Sequence, residues 1–237
     1  MDCGKTSPEK YEDNKYENIN IDYFKYIEVI SQWGLEPKEI ISQFPAYVGY
    51  VNIARTLFLY DLYKQTLDLT GDIAEIGTFQ GASFLLWAKL IKLFEPYAAT
   101  QVYGFDWFKG MDSGPTKGGF VGSYERLLEL VHLQSLEDIA LLFKMNVATD
   151  AMGFIQERPQ LRFKILFIDC GIREVMESAF EAFYPRLVNG GILIMDHYNL
   201  IVSPDESDIT DKYIGKSKVK QMPFNRQPTG YVIKGST

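Results

Sequence analysis

Short apolar runs recur along this chain, and most lead into a stretch with the spacing of a helix. Residues 72–76 run into a helical pattern over 81–95. Val102–Asp106 runs into a long loop rich in glycine and proline between Gly110 and Gly119, then a helix over 121–132. A short helix at 136–141 precedes a strand at 142–146, and Phe163–Asp169 leads to a helix over 173–188. Gly190-Gly191 turns into a strand at Ile192–Asp196, a polar loop covers 199–212, and a last strand covers 229–234. Apolar strands alternating with helices must be buried on both faces. That limits the fold to an α/β class with a doubly wound parallel sheet.

The chain before Gly71 reads differently. Residues 1–18 are polar and charged and are expected to be a flexible tail. Residues 19–70 read as a helical extension. Tyr23, Phe24, Ile27, Ile30 and Trp33 space a helix over 22–33 that Gly34 closes, a short helix covers 37–44, and Ile53, Leu57, Tyr60 and Tyr63 share a face over 50–67. Residues 71–237 then form the ligand-binding domain. With 46% hydrophobic residues among 237, a sizeable core can be buried. A net charge of −7 leaves no surplus of Lys and Arg for phosphates, so nucleic acid is not an expected partner. No apolar leader and no run of membrane-spanning length is visible, so neither a signal peptide nor a membrane is expected. Of the two cysteines, Cys3 lies in the tail and Cys170 at a strand end. That pairing is not expected, and a cytoplasmic, reducing setting fits.

The turn after the first strand carries the most chemistry. Asp72-Ile-Ala-Glu-Ile-Gly-Thr-Phe-Gln-Gly-Ala-Ser83 reads E-x-G-x-x-x-G, with Glu75, Gly77 and Gly81 at the fixed positions and Thr78, Phe79 and Ser83 between or just beyond. Glycines let backbone approach a ligand, and the helix that follows points free N–H groups at it. A dinucleotide site would read G-x-G-x-x-G, with its glycine pair against a pyrophosphate. An acid at this place repels phosphate and suits a ligand that carries positive charge and a ribose, such as S-adenosylmethionine.

Three later strands also end in an acid: Asp106, Asp169 and Asp196. Strand ends of an open α/β sheet converge on one crevice. Asp106 is suited to accept both ribose hydroxyls, with Trp107 beside it. Asp169 and the Asp196-His197 pair are the candidates for reaction. Two carboxylates can hold a divalent cation, and an imidazole can join it or accept a proton. His132 sits in a helical pattern and reads as packing or surface. Cys170 reads as a small, half-buried residue rather than a nucleophile.

Four segments together resemble class I S-adenosylmethionine-dependent methyltransferases, and among them the macrocin O-methyltransferase-like family. They are Gly71–Ser83, Tyr103-Gly-Phe-Asp-Trp-Phe-Lys-Gly-Met111, Phe167–Ser178 running on to Phe183-Tyr-Pro-Arg-Leu187, and Gly190-Gly-Ile-Leu-Ile-Met-Asp-His-Tyr198. The resemblance spans about Phe44 to Tyr198. It implies a mostly parallel, Rossmann-like sheet. Glu75, Gly77 and Gly81 would bound the methionine part of the cofactor, Asp106 would take the ribose, and Val147 and Ala148 would approach the adenine. It implies Mg²⁺ ligands at Asp169 and Asp196. The family often carries a further acid after each of these strands, where this chain has Asp169-Cys-Gly171 and Asp196-His197. Two readings stay open: a metal held by Asp169, Asp196 and His197, or a metal-free reaction with His197 as base.

The expected activity is O-methylation of a small-molecule hydroxyl, foremost on a sugar or sugar-containing metabolite. A non-catalytic cofactor-fold protein and a nicotinamide-dependent oxidoreductase are the rival classes. The N-terminal helices are expected to form a lid or the surface of a homodimer, and the loop 107–120 is placed to close over bound ligand.

Overall fold

The computed structural model describes residues 22–111, 117–200, 203–221 and 229–235. The expected tail at 1–18, and Cys3 in it, lie outside them. The parallel strands are β1 (Asp72–Ile76), β2 (Val102–Asp106), β3 (Ala140–Lys144), β4 (Phe163–Ile168) and β5 (Leu187–Met195). With β6 (Lys220–Gln221) and β7 (Gly230–Ile233) they form one sheet in the order β3-β2-β1-β4-β5-β7-β6. Only β7 runs against its neighbours, pairing Ile192 with Ile233 and Met195 with Gly230, so the sheet is mostly parallel as expected.

Alternation along the strands sorts side chains onto two faces. Ile73, Ile165 and Phe167 pack in one cluster with Phe58, Trp87 and Ile194. Ala74, Ile76, Leu166 and Ile168 pack in the other with Phe105, Phe154 and Phe183. The first cluster lies under α4 (Tyr50–Lys64), α5 (Ala82–Phe94) and α6 (Tyr124–Leu133). The second lies under α7 (Val147–Gln156), α8 (Arg173–Ala182) and α9 (Pro204–Tyr213). Every residue of β4 is buried, including Lys164, whose ammonium is 2.7 Å from both oxygens of Glu95. A charge inside a central strand is thus paired, as burial demands.

The N-terminal extension begins with α1 (22–31), α2 (Pro37–Ser42) and α3 (Phe44–Tyr47). Neither α2 nor α3 buries a residue. By contrast α4 drives Phe58, Leu59, Leu62 and Tyr63 into the core. Its first half reaches the ends of the strands while its second half is locked beneath the sheet.

Four local expectations are corrected. Residues 136–141 form no helix: Val102 pairs with Ala140 and Tyr103 with Leu141, so the ladder claims that end for β3. Helix α7 follows β3 directly, started by Asn146, whose side chain accepts from the Ala148 N–H at 3.1 Å. The helix expected over 173–188 stops at Ala182 and passes through a 3₁₀ turn at Tyr184–Arg186 around Pro185. Gly190-Gly191 lies inside β5, where the Gly190 N–H donates to Lys234 O at 2.8 Å. The polar loop at 199–212 contains α9, begun by Pro204 and the acids Asp205 and Glu206 at its positive end.

Candidate active site

Strand order reverses between β1 and β4, and ligands of open α/β sheets bind in the crevice beyond such a point. Gly77 ends β1 there with φ +91°, and a Cβ on it would stand 2.2 Å from the Asp169 carbonyl oxygen. No other residue fits. The turn closes through the Gly81 N–H to Thr78 O at 2.7 Å and starts α5. Phe79 in this turn has φ +47°, a strained value for a residue with a ring. Its N–H donates to Asp106 Oδ2 at 2.8 Å, which ties the glycine turn to the end of β2. The other oxygen, Asp106 Oδ1, accepts the Phe108 N–H at 2.6 Å. Burial pushes the Asp106 carboxyl above its ordinary range, and these backbone donors oppose the rise. Each carboxylate oxygen retains a lone pair for a ligand hydroxyl.

A cavity of ≈ 350 Å³ opens beside Asp106, within the range of cofactor pockets. Gly77, Asp106, Trp107, Val147 and Ala148 line it, as do Met145, Cys170 and Ile172. So five of the expected cofactor residues meet at one cavity. The Trp107 indole is held by its Nε1–H donating to Gly110 O at 2.7 Å. Cys170 is a free thiol that burial pushes up to about 12, so it stays protonated and is no nucleophile.

Glu75 requires a correction. It is fully buried behind the turn, not offered to the crevice. Its oxygens accept Ser83 Oγ–H at 3.1 Å and Trp87 Nε1–H at 2.9 Å. Burial first, and the nearby Asp169 charge second, raise its pKa to about 8. Burial favours its neutral form, and through these two bonds it clamps β1 to α5. Ser83 is spent on the same clamp. Thr78 is also buried, with its hydroxyl unpaired among the described residues.

The other end of the crevice brings Asp169, Asp196 and His197 together, with one ligating atom of each within 4.8 Å of the others. His197 Nδ1 stands 3.4 Å from Asp196 Oδ2 and 3.7 Å from Asp169 Oδ1, without a hydrogen-bond partner among the described residues. Two residues unseen by sequence reasoning complete the group. The Arg55 guanidinium, from α4, bridges Asp196 Oδ1 and, at 3.2 Å, Asp169 Oδ2. Glu206, from α9, is fully buried. One of its oxygens accepts the His197 N–H at 2.8 Å, and the other is unpaired 3.8 Å from His197 Nδ1. Burial raises the Asp169 pKa to about 6, with the neighbouring Asp196 charge adding and Arg55 opposing. Burial likewise lifts Glu206 well above its usual value. The signal for Arg55 was a lone charge in the apolar stretch 50–60, while Glu206 had only a helix-start pattern to mark it. His132 lies apart, exposed on α6 and 2.5 Å from Glu137.

A family model described as a methyltransferase domain matches residues 74–198, more than half of the chain, and the chain belongs to that family. The structure of CalS11, a calicheamicin methyltransferase, is similar with a TM-score of 0.80 at 22% identity, over 93% of this chain and 94% of that one. An apo structure of CalS11, described as a TDP-rhamnose 3′-O-methyltransferase, gives 0.75 at 21% identity over 93% and 96%. The O-methyltransferase NovP gives 0.64 at 18% identity over 77% and 80%. Likeness at these identities is likeness of fold. No curated protein matches the chain by sequence.

Proposed function

We propose that this member of the methyltransferase-domain family is an S-adenosylmethionine-dependent O-methyltransferase. Its acceptor would be a sugar hydroxyl of a small molecule. One observation carries the reading: the Asp106-lined cavity and the Asp169–Asp196–His197 group occupy the two ends of one crevice across Gly77 and Asp169. The fold likeness to CalS11 and NovP, and the description of CalS11 as a TDP-rhamnose 3′-O-methyltransferase, support the acceptor class. A net charge of −7 favours a small acceptor over nucleic acid.

The residues fit the donor. Gly77, with no room for a Cβ, lets the ends of β1 and β4 close together beside the cavity, and Asp106 offers oxygens to a cavity of cofactor size. When bound, S-adenosylmethionine supplies a methyl group activated by its sulfonium. The chain then has to orient the acceptor oxygen in line with that methyl and take its proton. His197 or a carboxylate of the pair would take the proton that the acceptor hydroxyl gives up as it receives the methyl group. Asp196, with its side chain only 3% exposed, and Asp169 steady the positive charge that develops on the imidazole.

The residues also fit a divalent ion. The unpaired Nδ1 of His197 faces one oxygen of each carboxylate, and oxygen with imidazole nitrogen suits Mg²⁺ or Mn²⁺. Asp169, Asp196 and His197 would hold it, and it would lower the pKa of an acceptor hydroxyl.

Calorimetric titration with S-adenosylmethionine and S-adenosylhomocysteine, with and without Mg²⁺, tests the reading. Micromolar binding (about −8 kcal/mol) that Asp106→Ala weakens roughly ten- to a hundredfold is expected, followed by methylation of a sugar acceptor. Absence of binding under every condition would sink it.

A further inference from the structure

The reaction end of the crevice contains a cation that the chain supplies itself. Arg55 places one guanidinium nitrogen on Asp196 Oδ1 and the other on Asp169 Oδ2 at 3.2 Å. The guanidinium carbon also lies 5.6 Å from the centre of the Phe167 ring, which β4 buries completely. Three contacts therefore fix it, and the next turn of α4, with Phe58 and Leu59 in the core, fixes its backbone. The remaining oxygens, Asp169 Oδ1 and Asp196 Oδ2, are the ones that face His197. Each carboxylate is thus divided between a permanent cation on one side and an imidazole on the other.

We propose that Arg55 is the resident counter-cation of the Asp169–Asp196 pair: a positioning residue that holds both carboxylates in place and competes with a divalent ion for their charge. An ion on the imidazole side shares both carboxylates with a guanidinium already bonded to each. Like charges repel across them, and the nearly buried Asp196 weakens solvent screening. The pair is therefore neutralised in part and kept in register without metal. The Asp169–Asp196 pair then binds a divalent ion weakly in this chain. Lysine is no substitute, because a point charge cannot span two carboxylates as a planar fork does. The inference rests on the proposed function only in calling this the reaction end. Ion binding is measured without donor or acceptor, so either can fail alone.

The experiment is Mn²⁺ binding, by electron paramagnetic resonance and calorimetry, to the full chain and to Arg55→Met and Arg55→Gln, with thermal melting to show that each is folded. Both neutral variants are expected to bind Mn²⁺ roughly tenfold or more tightly than the unaltered chain. Adding Asp196→Asn should erase that gain. A merely structural arginine would lower the melting temperature without raising ion affinity. Equal or weaker Mn²⁺ binding in a folded neutral variant overturns the proposal, and so does a gain that survives Asp196→Asn.

Discussion

The two ends of the crevice are built by different means. The Asp106 end is made of backbone: a glycine turn, N–H donors from Phe79 and Phe108, and an acid whose oxygens are already bonded. The Asp169–Asp196–His197 end is made of side chains from α4, β4, β5 and α9, with charges facing one another and two buried polar atoms unpaired. An end whose acid is already held by backbone N–H groups suits a ligand that is always the same. A charged end with unpaired atoms suits the place where a proton must move, since unmet polar groups are costly unless a ligand or a reaction uses them.

If this contrast is right, the largest effect falls at the charged end. His197→Ala should lower kcat by about 10²–10⁴-fold. Donor affinity by calorimetry should stay unchanged, and a parallel loss of donor binding would erase the division between the ends. Next comes the turn. Gly77→Ala should cost about 2–4 kcal/mol in chemical denaturation, from its left-handed backbone and the clash with the Asp169 carbonyl, and should remove donor binding. Asp106→Ala should weaken donor binding by about 1.5–3 kcal/mol, roughly ten- to a hundredfold, with a smaller loss of stability from the two N–H groups it strands.

A separate test of the frame beneath both ends is a pH dependence of stability at Glu75. Its pKa rises from 4.5 to about 8 on folding, so between those values the folded chain holds a proton that the unfolded chain has released. Stability is therefore full below about pH 4.5 and falls as pH rises through about 8. Glu75→Gln should flatten that fall in melts taken across the range. An unchanged slope would return Glu75 to the role of an ionised acid.

The same contrast governs what the sequence made legible. The strands could be read because both their faces are buried, and the Asp106 end because its parts lie within a few residues of a strand end. Asp169, Asp196 and His197 were legible for the same reason. Arg55 was not: it meets Asp196 across 141 residues, a pairing that no local pattern encodes. Glu206 was hidden in a stretch rich in Ser, Pro and Asp that reads as loop, although Pro204 and its acids are helix-start signals. The burial of Glu75 was not legible, because sequence gives the residue but not its surroundings.

Helix α4 also bears on how such chains can be divided. By pattern, Gly71 looks like a seam: helices before it, the alternating unit after it. Yet α4 crosses that seam twice, with its core-facing half beneath β1 and its Arg55 across the ends of β4 and β5. A chain cut at Gly71 would keep every strand, the glycine turn and Asp106. It would lose Arg55, which bridges Asp169 and Asp196, and expose the apolar surface that Phe58 and Leu62 cover. For anyone exchanging acceptor specificity between relatives, the transferable unit begins before Tyr50, and a new N-terminal segment brings its own answer to how the acid pair is neutralised.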